Sequence, residues 1–253
     1  MTAFGDHAVD PQRALPGGEA DGGMCADSGT RFRAIIPNFD GLAGLYRWME
    51  LATCGPWLAR CRFAFLGDLG GAQNALILGD GDGRFAAGFL RANPLVRIRA
   101  IDASPAMLRA LVRRAGPHAH RVTTEAADIR CWNPAADGQG GECCDLVVAH
   151  FFLDCFTTEE VFDLAGKIRP LLSTDARWVI SEFALPTGRM GRVLGRLLIS
   201  FLYRVFGILT GLPVRRLPDF EQALEQAGFV LVEGRAWLRG LLVSQMWAVG
   251  EGR

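Results

Sequence analysis

The sequence predicts an α/β protein, a sheet of mainly parallel strands joined by crossover helices. Three observations carry that expectation. Short apolar runs alternate with stretches of helical periodicity between residues 75 and 183. One of those runs ends in three alternating glycines just ahead of a helix, and two more β-like runs follow at 229–236 and 241–249. A chain of 253 residues, 50% of them hydrophobic and 21% charged, is long enough for one large core and too apolar to be disordered. With 27 basic and 27 acidic residues the net charge is zero, which argues against a dedicated nucleic-acid binder.

Residues 1–30 carry Asp6, Asp10, Glu19, Asp21 and Asp27 among glycines and prolines, with no basic start and no apolar run. They read as a disordered leader, neither signal nor transit peptide. Residues 31–253 form the main domain, opening with a helical cap over 31–70. There Phe39, Leu42, Leu45, Tyr46, Trp48 and Met49 recur at helical spacing, as do Trp57, Leu58, Cys61 and Phe65. Gly55-Pro56 separates the two runs, with proline suited to a first helical turn. Strands are expected at 75–78, 96–101, 122–126, 145–149 and 178–183, and helices at 83–92, 104–115 and 158–172. Ser104-Pro105 and Thr157 or Thr158 supply helix-starting signals, with Glu159 and Glu160 near the positive end of the helix dipole. A helix over 219–227 stops at Gly228, and the closing pair of β runs is antiparallel. The seven cysteines form no Cys-x-x-Cys pair and read as reduced thiols of a cytoplasmic protein, with no metal site.

The sharpest local signal is Leu76-Ile77-Leu78-Gly79-Asp80-Gly81-Asp82-Gly83-Arg84. Glycine there permits positive φ and close approach of a ligand to the backbone, and the helix start offers free N–H groups. A nicotinamide or flavin loop has glycine at its sixth position, where Arg84 stands here. Asp80 and Asp82 would repel a pyrophosphate, so the loop suits a phosphate-free, cationic cofactor. Asp102 ends the second strand, 19 residues after Gly83, where a carboxylate can accept both hydroxyls of a ribose. Asp128 follows the third strand, placed to accept from an exocyclic amine. The fourth strand opens into His150, Phe151 and Phe152.

In order and spacing these four signals resemble the class I S-adenosylmethionine-dependent methyltransferases, over about residues 38–249. The nearest branch contains the ubiquinone and menaquinone C-methyltransferases, since Asn38-Phe39-Asp40 with Leu45-Tyr46 is similar to its N-terminal Phe-Asp and Tyr segment. The resemblance implies a Rossmann-like seven-stranded sheet with an antiparallel last strand and helices on both faces. It places the methionine part of S-adenosylmethionine on Gly79, Gly81 and Gly83, the ribose on Asp102, and the adenine beside Met107, Asp128 and Ile129. Tyr46, Ala103 and His150 complete the expected cofactor set. The family's acid two residues before the first glycine is replaced by Ile77, so Asp80 or Asp82 has to meet the donor's amino group.

Plainer readings stand beside these. The glycines suit any tight strand-to-helix turn, Asp102 could cap a helix, and Asp128 could be a solvated acid. His150 is the candidate general base, and equally a strand-end histidine bonded to a backbone carbonyl. Glu182, at the tip of the fifth strand, is either a second catalytic group that orients substrate or an arginine's partner. Cys143, Cys144, His150, Asp154 and Cys155 do not make a metal site, because adjacent cysteines point to opposite faces of a strand.

Residues 189–216 hold six arginines (189, 192, 196, 204, 215, 216) and no acid. Arg192, Arg196, Ser200 and Arg204 make one narrow polar stripe on an otherwise apolar helix. Two interior arginines make a spanning helix too costly. An apolar helical insertion at 189–212 that roofs the site, an interfacial helix on anionic lipid with the protein peripheral on the membrane, and a homodimer face all remain open. Each favours a small, apolar acceptor over a nucleic acid. The expected function is methyl transfer from S-adenosylmethionine to such an acceptor. A non-catalytic S-adenosylmethionine-binding or membrane-associated protein, and a nicotinamide-dependent reductase, are the alternatives.

Overall fold

The computed structural model describes residues 55–134, 143–186 and 217–250. Among them the elements run α1 (Gly55–Arg62), β1 (Asn74–Leu78), α2 (Arg84–Ala92), β2 (Arg97–Asp102), α3 (Pro105–Ala115), β3 (Val122–Ala126), β4 (Cys144–His150), α4 (Thr158–Ile168), β5 (Leu172–Phe183), α5 (Phe220–Gln226), β6 (Phe229–Trp237) and β7 (Leu242–Val249). The seven strands form one sheet in the order β3-β2-β1-β4-β5-β7-β6. Neighbours from β3 through β5 are parallel, and β7 runs antiparallel to both β5 and β6. This is the expected Rossmann-like sheet.

Alternation along the strands divides the core between two faces. Ala75, Ile77, Leu146, Val148 and Val179 pack with Phe85, Phe89 and Leu90 of α2 and Leu108 and Leu111 of α3. On the other face Leu76, Leu78, Val147, Ala149, Trp178 and Ile180 pack with Val161, Leu164 and Ile168 of α4 and Leu224 of α5. The central strands are buried on both sides, which is why they read as unbroken apolar runs. Helix starts follow the sequence signals. Ser104 accepts from the Met107 N–H with Pro105 in the first turn, and Thr157 and Glu160 close a reciprocal capping box.

Three features depart from expectation. The helix expected over 158–172 stops at Ile168, because Pro170 lies in a following 3-10 turn, Arg169–Leu171, and has no N–H to continue it. β5 begins at Leu172 rather than 178, since its polar first half still reaches β4 across a register shift between Cys144 and Leu146. Cys131 is disulfide-bonded, which corrects the expectation of reduced thiols throughout; Cys61, Cys143, Cys144 and Cys155 form no disulfide. Spacing in the sequence could not reveal a single bridge of this kind. No helix among the described residues is long and apolar enough to cross a membrane. The 1–30 leader, the first cap helix with Tyr46, and the 189–212 segment lie outside the described residues.

The α2–β2 connection is fastened by a side chain that carries no sequence signal. Asn93 is 1% exposed. Its amide donates to the carbonyls of Leu69, Gly70 and Ala72, and its oxygen accepts from Leu95 and Val96. Asn93→Ala would leave those carbonyls and amides unpaired in the core, at about 1 kcal/mol or more for each group that water cannot reach. A loss of about 3 kcal/mol in urea unfolding is expected, and a loss below about 0.5 kcal/mol would show that the groups re-pair.

Candidate active site

Gly79, Gly81 and Gly83 all adopt left-handed φ, at 60°, 58° and 80°, but for different reasons. A Cβ at Gly79 would run into the Phe152 ring, and one at Gly83 would lie 2.6 Å from the Leu111 Cα. These two glycines let the loop pack against β4's exit and α3. At Gly81 a Cβ would meet nothing within 4 Å, so this residue presents open backbone. Gly81 thus leaves its backbone open among the described residues, with its two neighbours setting the loop's shape.

The two loop acids are already engaged. Asp80 accepts from the Phe85 and Ala86 N–H groups at 3.2 and 2.8 Å and so caps α2 from five residues upstream. Burial raises its pKa to about 6, against the opposing pull of the Ala86 N–H and the Arg62 charge. Asp82 is paired with Arg114 and, at 3.3 Å, with Arg84. Ile77 is 1% exposed and belongs to the apolar layer facing α2, so nothing acidic stands in that place.

At the tip of β2, Asp102 accepts from the Ser104 N–H at 2.8 Å, and the Gly81 N–H lies near enough to favour its ionised form. Its carboxylate thus joins the first and second strand loops. Burial raises its pKa despite these two N–H groups. A carboxylate offers about four acceptor sites, so capacity remains for the paired hydroxyls of a ribose. Ala103 and Met107 stand half-buried beside it. The Ala127 N–H donates to the Asp102 carbonyl at 3.1 Å, tying in the loop after β3. There Asp128 accepts from the Arg130 N–H at 3.0 Å, with the guanidinium at 3.4 Å, while Ile129 is buried. The three strand-tip loops that carry Gly81, Asp102 and Asp128 are thus tied together by backbone hydrogen bonds that the Gly79 and Ala127 N–H groups donate to the Ile101 and Asp102 carbonyls.

The structure separates the two expected catalytic residues. Side chains alternate along β4 and β5, so His150 faces α1 and α2 while Glu182 faces α4. His150 is 5% exposed, its Nδ1 is 2.8 Å from the Ser181 hydroxyl, and its ring meets Phe85 edge-on at 4.6 Å. Ser181 in turn donates to the Cys61 carbonyl and lies 3.0 Å from the Ser244 hydroxyl. With Nδ1 carrying the proton, Nε2 is left as a bare acceptor, and it has no partner among the described residues. Burial and then the Arg62 charge hold His150 well below the usual histidine pKa, so the imidazole is neutral. Glu182 accepts from the Phe152 and Leu153 N–H groups at 2.9 and 2.7 Å, clamping the turn after β4. Burial, then the Asp154 charge, raises its pKa well above the carboxylate range. Asp154, itself raised to about 6 by burial, was outside the expected site set.

Arg62 and the backbone of Phe151 are the other features that sequence reasoning missed. Arg62 ends α1 only 8% exposed, with its guanidinium 5.6 Å from the Phe151 ring. Phe151 holds φ 54°, a conformation that bulky residues rarely adopt and that recurs at functional sites. A histidine followed by two aromatics hints at such a turn, but helical periodicity gives no sign that Arg62 points inward.

A pH dependence follows from Asp80. Its folded pKa of about 6 exceeds the ordinary 3.8, so the folded state binds the proton more tightly. Stability contributed by the protonated form is therefore lost as pH rises from about 4 to 6, by about 3 kcal/mol at most. Asp80→Asn should flatten that part of the urea-stability curve, and an unchanged slope would refute the assignment.

No protein-family model and no curated protein matches the sequence. Solved structures do match. An O-methyltransferase family protein from Burkholderia thailandensis has a TM-score of 0.64 at 16% identity, covering 87% of this chain and 66% of its own. The riboflavin-analogue dimethyltransferase RosA from Streptomyces davawensis has a TM-score of 0.58 at 21% identity, covering 87% and 64%. The S-adenosylmethionine-dependent methyltransferase SibL has a TM-score of 0.55 at 21% identity, covering 86% and 61%. The chain thus spans under two thirds of the length of each of these solved proteins. The fold of this chain is the Rossmann-like fold of those small-molecule methyltransferases.

Proposed function

We propose that the chain moves a methyl group from S-adenosylmethionine to a small, apolar acceptor. The observation that carries this reading is the Asp102 carboxylate, fixed at the tip of β2 by the Ser104 N–H beside the open backbone of Gly81. S-adenosylmethionine supplies a methyl group on a sulfonium, which needs no phosphate-binding cation. Asp102 would accept the ribose hydroxyls, Gly81 would face the methionine chain, and Met107 and Ile129 would flank the adenine with Asp128 nearby. His150 is the chain's candidate for taking the acceptor's proton through the bare Nε2. Glu182 acts through the turn it clamps, as a positioning residue for Phe152 and Leu153.

An apolar acceptor is supported by Phe151, Phe183 and Leu185 at the ends of β4 and β5, with Leu185 42% exposed, and by the apolar 189–212 segment. The Phe39-Asp40 and Tyr46 segment is the reason to include carbon acceptors of the quinone type in any screen. Calorimetry with S-adenosylmethionine and its demethylated product, then tritium transfer into lipid-soluble extracts, tests the reading. Binding followed by a labelled product is expected. Absence of heat with either nucleoside overturns it, and heat without any product favours a non-catalytic binder.

A further inference from the structure

We propose that Ser181 is the positioning residue for His150, its hydroxyl holding the imidazole proton on Nδ1 so that the lone pair is left on Nε2. This rests on the reading of His150 as the base and adds the group that makes it one. His150, Ser181 and Ser244 stand directly opposite one another on β4, β5 and β7. They therefore share one face of the sheet. The row before them on that face, Val148, Val179 and Met246, is wholly apolar and buried. The three polar residues are buried as well, with both serines fully out of water. A polar row inside an apolar layer destabilises the fold unless its hydrogen bonds close.

Counting protons shows how they close. The Ser181 hydroxyl has one proton and donates it to the Cys61 carbonyl at 3.2 Å. That carbonyl has a second lone pair for the Ala64 N–H. The Ser181 oxygen can then only accept, and Nδ1 lies 2.8 Å and the Ser244 hydroxyl 3.0 Å from it. Nδ1–H and the Ser244 O–H fill its two lone pairs. Every polar group of the row is paired in this way except Nε2, which is buried and without a partner among the described residues. The opposite tautomer needs the Ser181 proton at Nδ1. It withdraws that proton from the Cys61 carbonyl and buries an Nε2–H with nothing to accept it. α1 takes part through Cys61, whose Sγ also donates to the Val243 carbonyl at 3.2 Å. The end of α1 is thus fastened over β5 and β7, and its carbonyl directs the Ser181 proton away from the imidazole. A ring nitrogen fixed by the hydrogen bond at the other nitrogen is what a general base requires.

Nitrogen-15 NMR of the full chain labelled at histidine reads the tautomer with neither donor nor acceptor present. The chain has four histidines, and His150→Gln identifies the signal that belongs to His150. Wild type should hold the Nδ1–H form in at least about tenfold excess, as one hydrogen bond contributes. In Ser181→Ala the excess should fall below about threefold. Ser181→Thr should keep it, and so should Ser244→Ala, which leaves the acceptor of Nδ1–H in place. If the alanine variant does not fold, Ser181→Cys, with sulfur as a weaker acceptor, should lower the excess in its stead. With an acceptor in hand, Ser181→Ala should lower kcat at least about tenfold, because a base in the wrong tautomer presents a proton where a lone pair is needed. Its donor Kd should stay within about threefold, and threonine should restore turnover. A wild-type signal of the Nε2–H form overturns the proposal, as does an alanine or cysteine variant that keeps the full excess. Loss of the excess with unchanged kcat overturns the reading of His150 as the base instead, so the two failures are distinct.

Discussion

Asp102→Ala should lower affinity for S-adenosylmethionine by about 100- to 10,000-fold, two charge-assisted hydrogen bonds at roughly 1.5–3 kcal/mol each. The loss has two sources. The substitution removes the acceptor for the ribose hydroxyls, and it frees the Ser104 N–H that the carboxylate holds in place. Asp102→Asn separates them, because the amide oxygen can still accept one backbone N–H while the negative charge is gone. It should fall between wild type and alanine in calorimetry. Unfolding in urea serves as the control, since neither variant loses core packing. An alanine variant within about threefold of wild-type affinity would remove Asp102 from the site, whatever the fold.

His150→Gln is the second large effect, this time on turnover. A positioned base contributes about 10²- to 10⁴-fold, and glutamine keeps a side-chain amide able to reach Ser181 while abolishing the imidazole lone pair. With the acceptor found by tritium screening, kcat should fall at least about 100-fold and the donor Kd should move less than about threefold. The burial of His150 fixes the sign of its pH profile. Its pKa lies well below 6.5, so the base form is already populated at acidic pH and activity should not rise through pH 6 to 7 on its account. Unchanged turnover in the glutamine variant would leave His150 as a buried strut bonded to Ser181 and, through it, to α1.

Much of this architecture was legible in the sequence because its causes are local. β1 and β4 are buried on both faces along most of their length, so each carries an apolar run bounded by turn residues. Ser104-Pro105 and Thr157 cap helices through groups three residues away. The glycine loop and Asp102 were visible for the same reason: strand, turn and helix succeed one another without interruption. What escaped reading depends on partners far along the chain. The first half of β5 is polar and becomes a strand only because β4 lies beside it. Asn93 looks like any loop asparagine until the carbonyls of the turn ahead of β1 close around its amide. Asp80 and Asp82 looked free for a ligand, yet a helix start and two arginines hold them. His150 and Glu182 sit at the tips of neighbouring strands, and only the pairing of His150 with Ser181 shows that they point to opposite sides of the sheet.

The strand order has a consequence for biogenesis. β7 lies between β5 and β6 but is translated after both, and among the described residues Trp178 to Phe183 pair along their far side with Leu242–Trp247. Until those residues leave the ribosomal tunnel, the growing polypeptide carries an apolar, unsatisfied ribbon on β5, and β6 has nothing to lie against. A nascent chain stalled short of residue 242 should therefore present that open edge to chaperones, with the sheet still incomplete.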